Sequence, residues 1–325
     1  MTKLVIVGLG IGMVHFEQAN ALNLFDRIIT VDPDPNKQAT YTCVEQMLDQ
    51  ESGLEFDASI ICTPNFTHPN LIKQLAPYSD LIMVEKPGLS SAQEWTGVLE
   101  ENPDTRIVMT KNNIFRNSVA FWQEEYQKSS VVNFVWINKN RVPFPGGWFT
   151  NKNKAWGGVS YDLMPHLIHM AITAGSGRIS EPSFSTRFQK WNLADVRDTE
   201  YGAVNNVDPV YDVDDHCRIS FEFDDRKINC VAAWKSDQVQ NNMVEVQFVQ
   251  EDQTVVMDLG LCPNEAYGKQ LYHFLNMNED QYKIQNSLDK FVLSCIENIQ
   301  DNGEDTFYDD LDLEEDETGE VANAI

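Results

Sequence analysis

Through the first 118 positions, short continuous apolar runs alternate with stretches whose apolar residues recur every three or four positions. The runs at 3–7, 27–31, 58–62, 81–85 and 107–110 are rich in Val, Ile and Leu, as expected of strands covered on both faces. Between them, 13–24, 38–50, 70–75 and 93–101 read as helices. This alternation predicts a doubly wound parallel sheet with helices on both sides. After a helix at 121–128 the pattern changes. A long strand at 131–141 and a helix at 159–174 come first, and then strands at 216–223, 227–234, 244–249 and 254–258. Tight polar turns at 224–226 and 251–252 join the later strands in pairs, so the second half is expected to be α/β with a large, mostly antiparallel open sheet. The division this implies is 1–118, 119–300 and an acidic ending at 301–325.

Composition narrows the function classes. The net charge is −26, and eleven of the acids fall within 301–320 without a single Lys or Arg. Such a surface repels nucleic acid, and an acidic run of this kind reads as a solvated segment. No apolar run reaches membrane-span length, and the opening reads as a strand rather than a secretory signal. Six cysteines include no Cys-x-x-Cys pair, and the six histidines include no His-Glu-x-x-His pattern. The expectation is a cytoplasmic protein without a catalytic metal, in contact with neither membrane nor nucleic acid.

Candidate chemistry begins at the first strand's end. Gly8, Gly10, Ile11 and Gly12 form a glycine-rich turn that opens a helix, where a backbone can approach a pyrophosphate. The third glycine comes one residue early, so the turn looks one residue short. Asp32 ends the second strand, placed to accept from both ribose hydroxyls of NAD and to repel the 2′-phosphate of NADP. Taken alone, each feature also suits an ordinary packed turn.

Glu85-Lys86-Pro87 follows the fourth strand, at the sheet edge where open α/β folds bind ligands. Asp162 and His166 are spaced to share one face of the 159–174 helix, after Gly157-Gly158 and with His169 three residues further on. Oxidation of a secondary alcohol needs a base near neutrality for the hydroxyl proton, a cation for the developing alkoxide and an acid to orient that cation. His166, Lys86 and Asp162 match those needs in type and number. An isolated Asp-x-x-x-His is more often a surface helix pair, so the combination carries the reading.

That combination resembles the Gfo/Idh/MocA family, the relatives of glucose–fructose oxidoreductase and inositol dehydrogenase. The resemblance rests on the glycine turn with His15, on Val31-Asp32-Pro33-Asp34, on Thr63-Pro64-Asn65 with His68, on Glu85-Lys86-Pro87, and on Gly157-Gly158 leading to Asp162 and His166. It implies a Rossmann domain joined to an α/β domain with a large open sheet that often mediates dimers or tetramers. It carries the family's lysine, aspartate and histidine onto Lys86, Asp162 and His166, and the cofactor-side loop onto Thr63, Pro64, Asn65, His68 and Glu85. Arg116, Trp156 and His169 are weaker substrate-side candidates. The implied activity is hydride transfer between NAD and a CH–OH or carbonyl of a sugar, polyol or sugar acid. The alternatives are a non-catalytic dinucleotide sensor, or an imine or enone reductase whose pocket uses Trp148, Phe149 and Trp156. Specificity is expected in the loops at 144–153 and 187–215, which carry no recognisable motif.

Overall fold

The computed structural model describes residues 1–175, 183–188, 190–196, 199, 209–223 and 226–303. The expected acidic segment beyond 303, the turn at 224–225 and most of the 187–215 loop lie outside those residues. The chain builds two sheets. Strands β1 (Lys3–Val7), β2 (Arg27–Val31), β3 (Ala58–Ile61), β4 (Leu81–Val84) and β5 (Arg106–Met109) form the first, all parallel, in the order β2-β1-β3-β4-β5. Their apolar runs alternate between two buried layers. Val5, Val7, Ile61, Ile82 and Val84 face α2 (Val44–Gln50), α3 (His68–Leu75) and α4 (Ala92–Glu101). Leu4, Ile6, Ile60, Met83 and Val108 face α1 (Gly12–Leu22) and α9 (Glu265–Leu275). Strand order reverses between β1 and β3, which makes a crevice above their carboxyl ends.

The second sheet holds β6 (Val131–Ile137), β7 (Ser183–Arg187), β8 (His216–Phe223), β9 (Arg226–Ala233), β10 (Met243–Val249) and β11 (Thr254–Asp258), in the order β11-β10-β6-β9-β8-β7. Every neighbouring pair is antiparallel except β6 with β9. One face is covered by α5 (Val119–Lys128), α8 (Met164–Ala174) and α10 (Glu279–Asn302), which bury Trp122, Phe134, Trp234 and Phe248. Full burial of side chains this size contributes roughly 1.5–3 kcal/mol each. The opposite face carries a polar row, Ser220, Asn229, Asn133 and Gln247, linked side chain to side chain.

Several elements depart from the sequence reading. The helix expected at 38–50 begins only at Val44, because Tyr41 pairs with β2 through Thr30 and Asp32 backbone groups. The helix expected at 159–174 is two helices, α7 (Val159–Asp162) and α8, hinged at Leu163. The strand expected at 131–141 stops at Ile137. Strand β7 and helices α6 (Lys152–Ala155), α9 and α10 were not anticipated. Helix α10 starts at a reciprocal cap, in which Asn278 and Gln281 each accept the other's backbone N–H at 2.9 Å. It joins the two cores, since Leu293 packs under the first sheet while Val292, Ile296 and Ile299 pack under the second.

Candidate active site

The carboxyl ends of the parallel strands gather the motif residues in one place. Gly8 leaves β1 with φ +89°, and a Cβ there would lie 2.5 Å from the Cys62 carbonyl oxygen. Only glycine tolerates both, so β1 can press against the end of β3 at the strand-order reversal. Asp32 sits beside this turn, where one carboxylate oxygen accepts the Leu9 N–H at 2.6 Å and the other accepts Asp34 N–H at 2.9 Å. The short turn feeds α1 directly from Gly12. Nothing lies within 4 Å of where a Gly10 Cβ would be, so the backbone here is open at a helix N-terminus. An open glycine cradle with a carboxylate at its rim fits the pyrophosphate and ribose of a dinucleotide.

The next two loops are tied to each other. Thr63 shares a 2.6 Å hydroxyl contact with Thr67. Asn65 donates to the Ala155 carbonyl at 2.9 Å, linking the loop after β3 to α6. The His68 ring is spent on two backbone carbonyls, Gly88 at 2.8 Å and Thr63 at 2.9 Å. It therefore fastens the loop after β3 to the loop after β4 from below, and burial pushes its pKa down.

Lys86 reaches across to the second half of the chain. Its Nζ donates to Asp162 Oδ1 at 2.5 Å and to the Asp162 carbonyl at 3.0 Å. Asp162 Oδ2 accepts the Trp234 indole N–H at 2.9 Å. Burial would raise the Asp162 pKa, but the Lys86 ammonium outweighs it and holds the carboxyl below its usual value. Glu85 points away from the cleft to His15, 3.0 Å distant. Burial opposes its charge as well, yet His15 and then Lys86 hold its pKa at about 2.

His166 follows one turn after Asp162. Its ring stacks on Trp136, with centroids 5.6 Å apart, and the residue is 9% exposed. Burial, reinforced by the Lys86 charge, lowers its pKa to about 3, so the imidazole is neutral at ordinary pH. Asp162 ends α7 and His166 lies near the start of α8, so they do not share one continuous helix. The chain stays compact at the hinge because Leu163 O accepts the His166 N–H at 3.1 Å.

Helix α7 is held by Asp214. Its carboxylate accepts the N–H groups of Gly158 and Ser160, both at 2.8 Å. A Cβ on Gly158 would fall 1.7 Å from the Asp214 carbonyl oxygen. Lys86, Asp162, Asn65 and Pro87 line a small cleft with Phe149, Gly157, Gly158 and Tyr161. Trp156 stands beside the cleft, edge-on to Tyr161 and to His68.

Two weaker candidates are engaged elsewhere. The buried Arg116 guanidinium donates to the Leu259 and Gly260 carbonyls at 2.6 and 3.1 Å, and to Asn113. His169 contacts the Pro165 carbonyl at 2.8 Å and Asp289 at 3.3 Å. Asp289, on α10, also accepts from Lys111 and from the Met109 N–H, which makes a buried polar knot between β5, α8 and α10. Trp234, Asp214 and Asp289 were absent from the sequence reading of the site, and His15 entered it only as a neighbour of the glycine turn. The partners of His15, Trp234, Asp214 and Asp289 lie 70, 72, 54 to 56 and 120 to 180 positions away. Among the described residues, His15, Cys62 and Glu85 bring three possible metal donors within 4.8 Å of one another. They come from three separate elements, so no spacing in the sequence pointed to them.

Residues 2–111 match the family model described as Gfo/Idh/MocA, an oxidoreductase family with an NAD-binding Rossmann fold. The proposed UDP-kanosamine synthase oxidoreductase subunit of Amycolatopsis mediterranei (strain S699) is 26% identical over 153 residues, which span 44% of this chain and 43% of that protein. The match thus spans less than half the length of that curated relative. Among solved structures, GenD2 from gentamicin A biosynthesis in complex with NAD superposes with a TM-score of 0.70 at 18% identity, covering 93% of this chain and 95% of that one. Levoglucosan dehydrogenase with NADH and levoglucosan gives 0.71 at 14% identity, over 93% and 98% of the two chains. A myo-inositol dehydrogenase from Corynebacterium glutamicum ATCC 13032 gives 0.67 at 14% identity, over 93% and 96%. At these identities the superpositions speak for the fold. Among the described residues, no helix is long and apolar enough to cross a membrane. With the strand-end glycine turn, the acid at β2 and the Glu-Lys-Pro loop in place, residues 2–111 are similar to the NAD-binding Rossmann fold of the Gfo/Idh/MocA oxidoreductase family.

Proposed function

We propose that the protein transfers a hydride between NAD and a CH–OH or carbonyl carbon of a sugar, polyol or sugar acid. The observation that carries this reading is the Lys86–Asp162 pair, which bridges the strand ends of the first sheet and α7, with His166 one turn on. Gly8, Gly10, Ile11, Gly12 and Asp32 would hold the dinucleotide, which accepts or returns the hydride when bound. Lys86 directs its ammonium at the reacting oxygen and stabilises the charge that develops there. Asp162, fixed by Trp234, keeps that ammonium aimed. In the oxidative direction, neutral His166 takes the hydroxyl proton on a ring nitrogen as the hydride leaves carbon, and it returns the proton in reduction. The stack on Trp136 and the burial of His166 exclude bulk water from this transfer. In this reading residues 1–118 serve the cofactor and 119–300 the substrate, and copies associate as a homodimer or homotetramer through the open sheet.

NAD is the favoured cofactor because Asp32, with Asp34 next to it, would repel a 2′-phosphate. A non-catalytic sensor would have no need of a Lys86–Asp162 pair across the two halves of the chain with a histidine one turn on. The test is a panel of sugars, polyols and uronates, screened with NAD and NADP separately. The reading expects turnover of a member of the panel with a strong NAD preference. Preference for NADP would overturn the role given to Asp32, and no turnover across the panel would count against the activity.

A further inference from the structure

One side of the cleft beside Lys86 is aromatic and takes no part in the proton and hydride chemistry. Phe149 forms this wall, facing a space also lined by Lys86 and Asp162. Trp148 stacks behind it with ring centroids 3.8 Å apart and planes at 29°, and Phe144 continues the array at 6.4 Å and 28°. The loop that carries these rings is fixed. Thr150, with no exposed surface, accepts the Gly146 N–H at 2.8 Å and donates to the Val210 carbonyl at 2.7 Å. Gly147 N–H closes the turn on the Phe144 carbonyl at 2.8 Å. Phe144 is held at φ +38°, a conformation that a bulky residue adopts only under local constraint, while its side chain is 55% exposed. A braced set of rings at the rim of a polar cleft suits a ligand with one apolar side and one hydroxylated edge.

We propose that Phe149, backed by Trp148, is the apolar wall of a substrate subsite for the carbon face of a ring, a pyranose, anhydro-sugar or cyclitol, and that it selects such rings over open-chain polyols. This rests on the function proposed above. A ring presents its C–H groups as one continuous apolar face while its hydroxyls project toward Lys86 and Asp162. An open-chain polyol offers no such face and gives up more rotational freedom when ordered. The wall acts on binding, so its effect belongs in KM.

The test compares wild type with Phe149→Ala, Phe149→Leu and Phe149→Tyr on myo-inositol, a methyl glucopyranoside, 1,6-anhydroglucose and sorbitol. Phe149→Ala is expected to raise KM for the ring substrate roughly 10–100-fold, the range of a lost apolar pocket contact. The kcat and the NAD KM should stay within about threefold, and Phe149→Tyr should recover most of the affinity. Equal losses on ring and open-chain substrates, a raised NAD KM, or no change would each overturn the proposal. A second arm needs no turnover and reads the tryptophan fluorescence of the NADH-bound protein during titration with the same four compounds, with Trp148→Phe measured alongside to isolate the Trp148 contribution. Ring-selective quenching that Phe149→Ala abolishes supports the subsite even if the proposed reaction fails. The absence of any ring-selective binding overturns it even if the reaction is found.

Discussion

In the proposed reaction His166 would act from a buried position, and that decides the pH behaviour expected of it. Its folded pKa of about 3 is set first by burial and then by the Lys86 charge, so its base form is present throughout the neutral range. The acid limb of kcat/KM in the oxidative direction should therefore fall well below pH 6, where an exposed histidine would already have lost half its activity. A limb centred at or above 6.5 would show that His166 is not the group that takes the proton. Lys86, Asp162 and His166 were singled out in the sequence because their residue types match the demands of the proposed chemistry, and the Lys86–Asp162 contact joins two of them. The work of His68, Arg116 and His169 was not legible. Each is a polar side chain committed to carbonyls or an acid contributed by other segments, and a single sequence does not display those partners.

At the scale of elements, α7 aims the site. It is a single turn, too short to persist by itself, and it exists because Asp214 caps it and Gly158 lets the Asp214 backbone lie against it. Gly158→Ala is expected to cost at least about 1–3 kcal/mol through overpacking, and to shift Asp162 away from Lys86. A denaturant midpoint and a turnover rate both unchanged in this variant would contradict that account. The parallel strands were readable because their apolar runs are continuous. Helix α10 was not, for a physical reason. Its second half carries Val292, Cys295, Ile296 and Ile299 at helical spacing, but the buried positions of its first half are Gln285 and Asp289. Those two face the polar knot around Lys111 and His169, so the apolar periodicity that marks a helix is interrupted where the helix is buried.

Across the whole molecule, the same helix ties the two cores together. Removing the acid with Asp289→Ala leaves Lys111 buried without its ion-pair partner, a loss expected to cost about 3–5 kcal/mol of stability. A melting temperature within a degree or two of wild type would contradict the role given to the knot. Acid should also unfold the protein by a predictable course. His166 has its pKa lowered on folding, so the unfolded chain binds more protons below pH 6.5 and stability declines from there downward. Glu85, at about 2 when folded, adds stability that is present above pH 4.5 and is lost as pH falls from 4.5 toward 2, about 3 kcal/mol in all. Replacing His166 with Gln should flatten the first part of that decline, which thermal melts across pH would read.

The central claim is that Lys86 and His166 drive hydride transfer at a site assembled from both sheets. Its most direct test uses the best substrate of the panel, deuterated at the reacting carbon, and follows deuterium into the nicotinamide by mass spectrometry. Wild type should form deuterated NADH. Lys86→Ala and His166→Ala should bind NADH within about threefold of wild-type affinity, yet transfer deuterium roughly 100-fold or more slowly. Transfer at the wild-type rate in either variant would contradict the account.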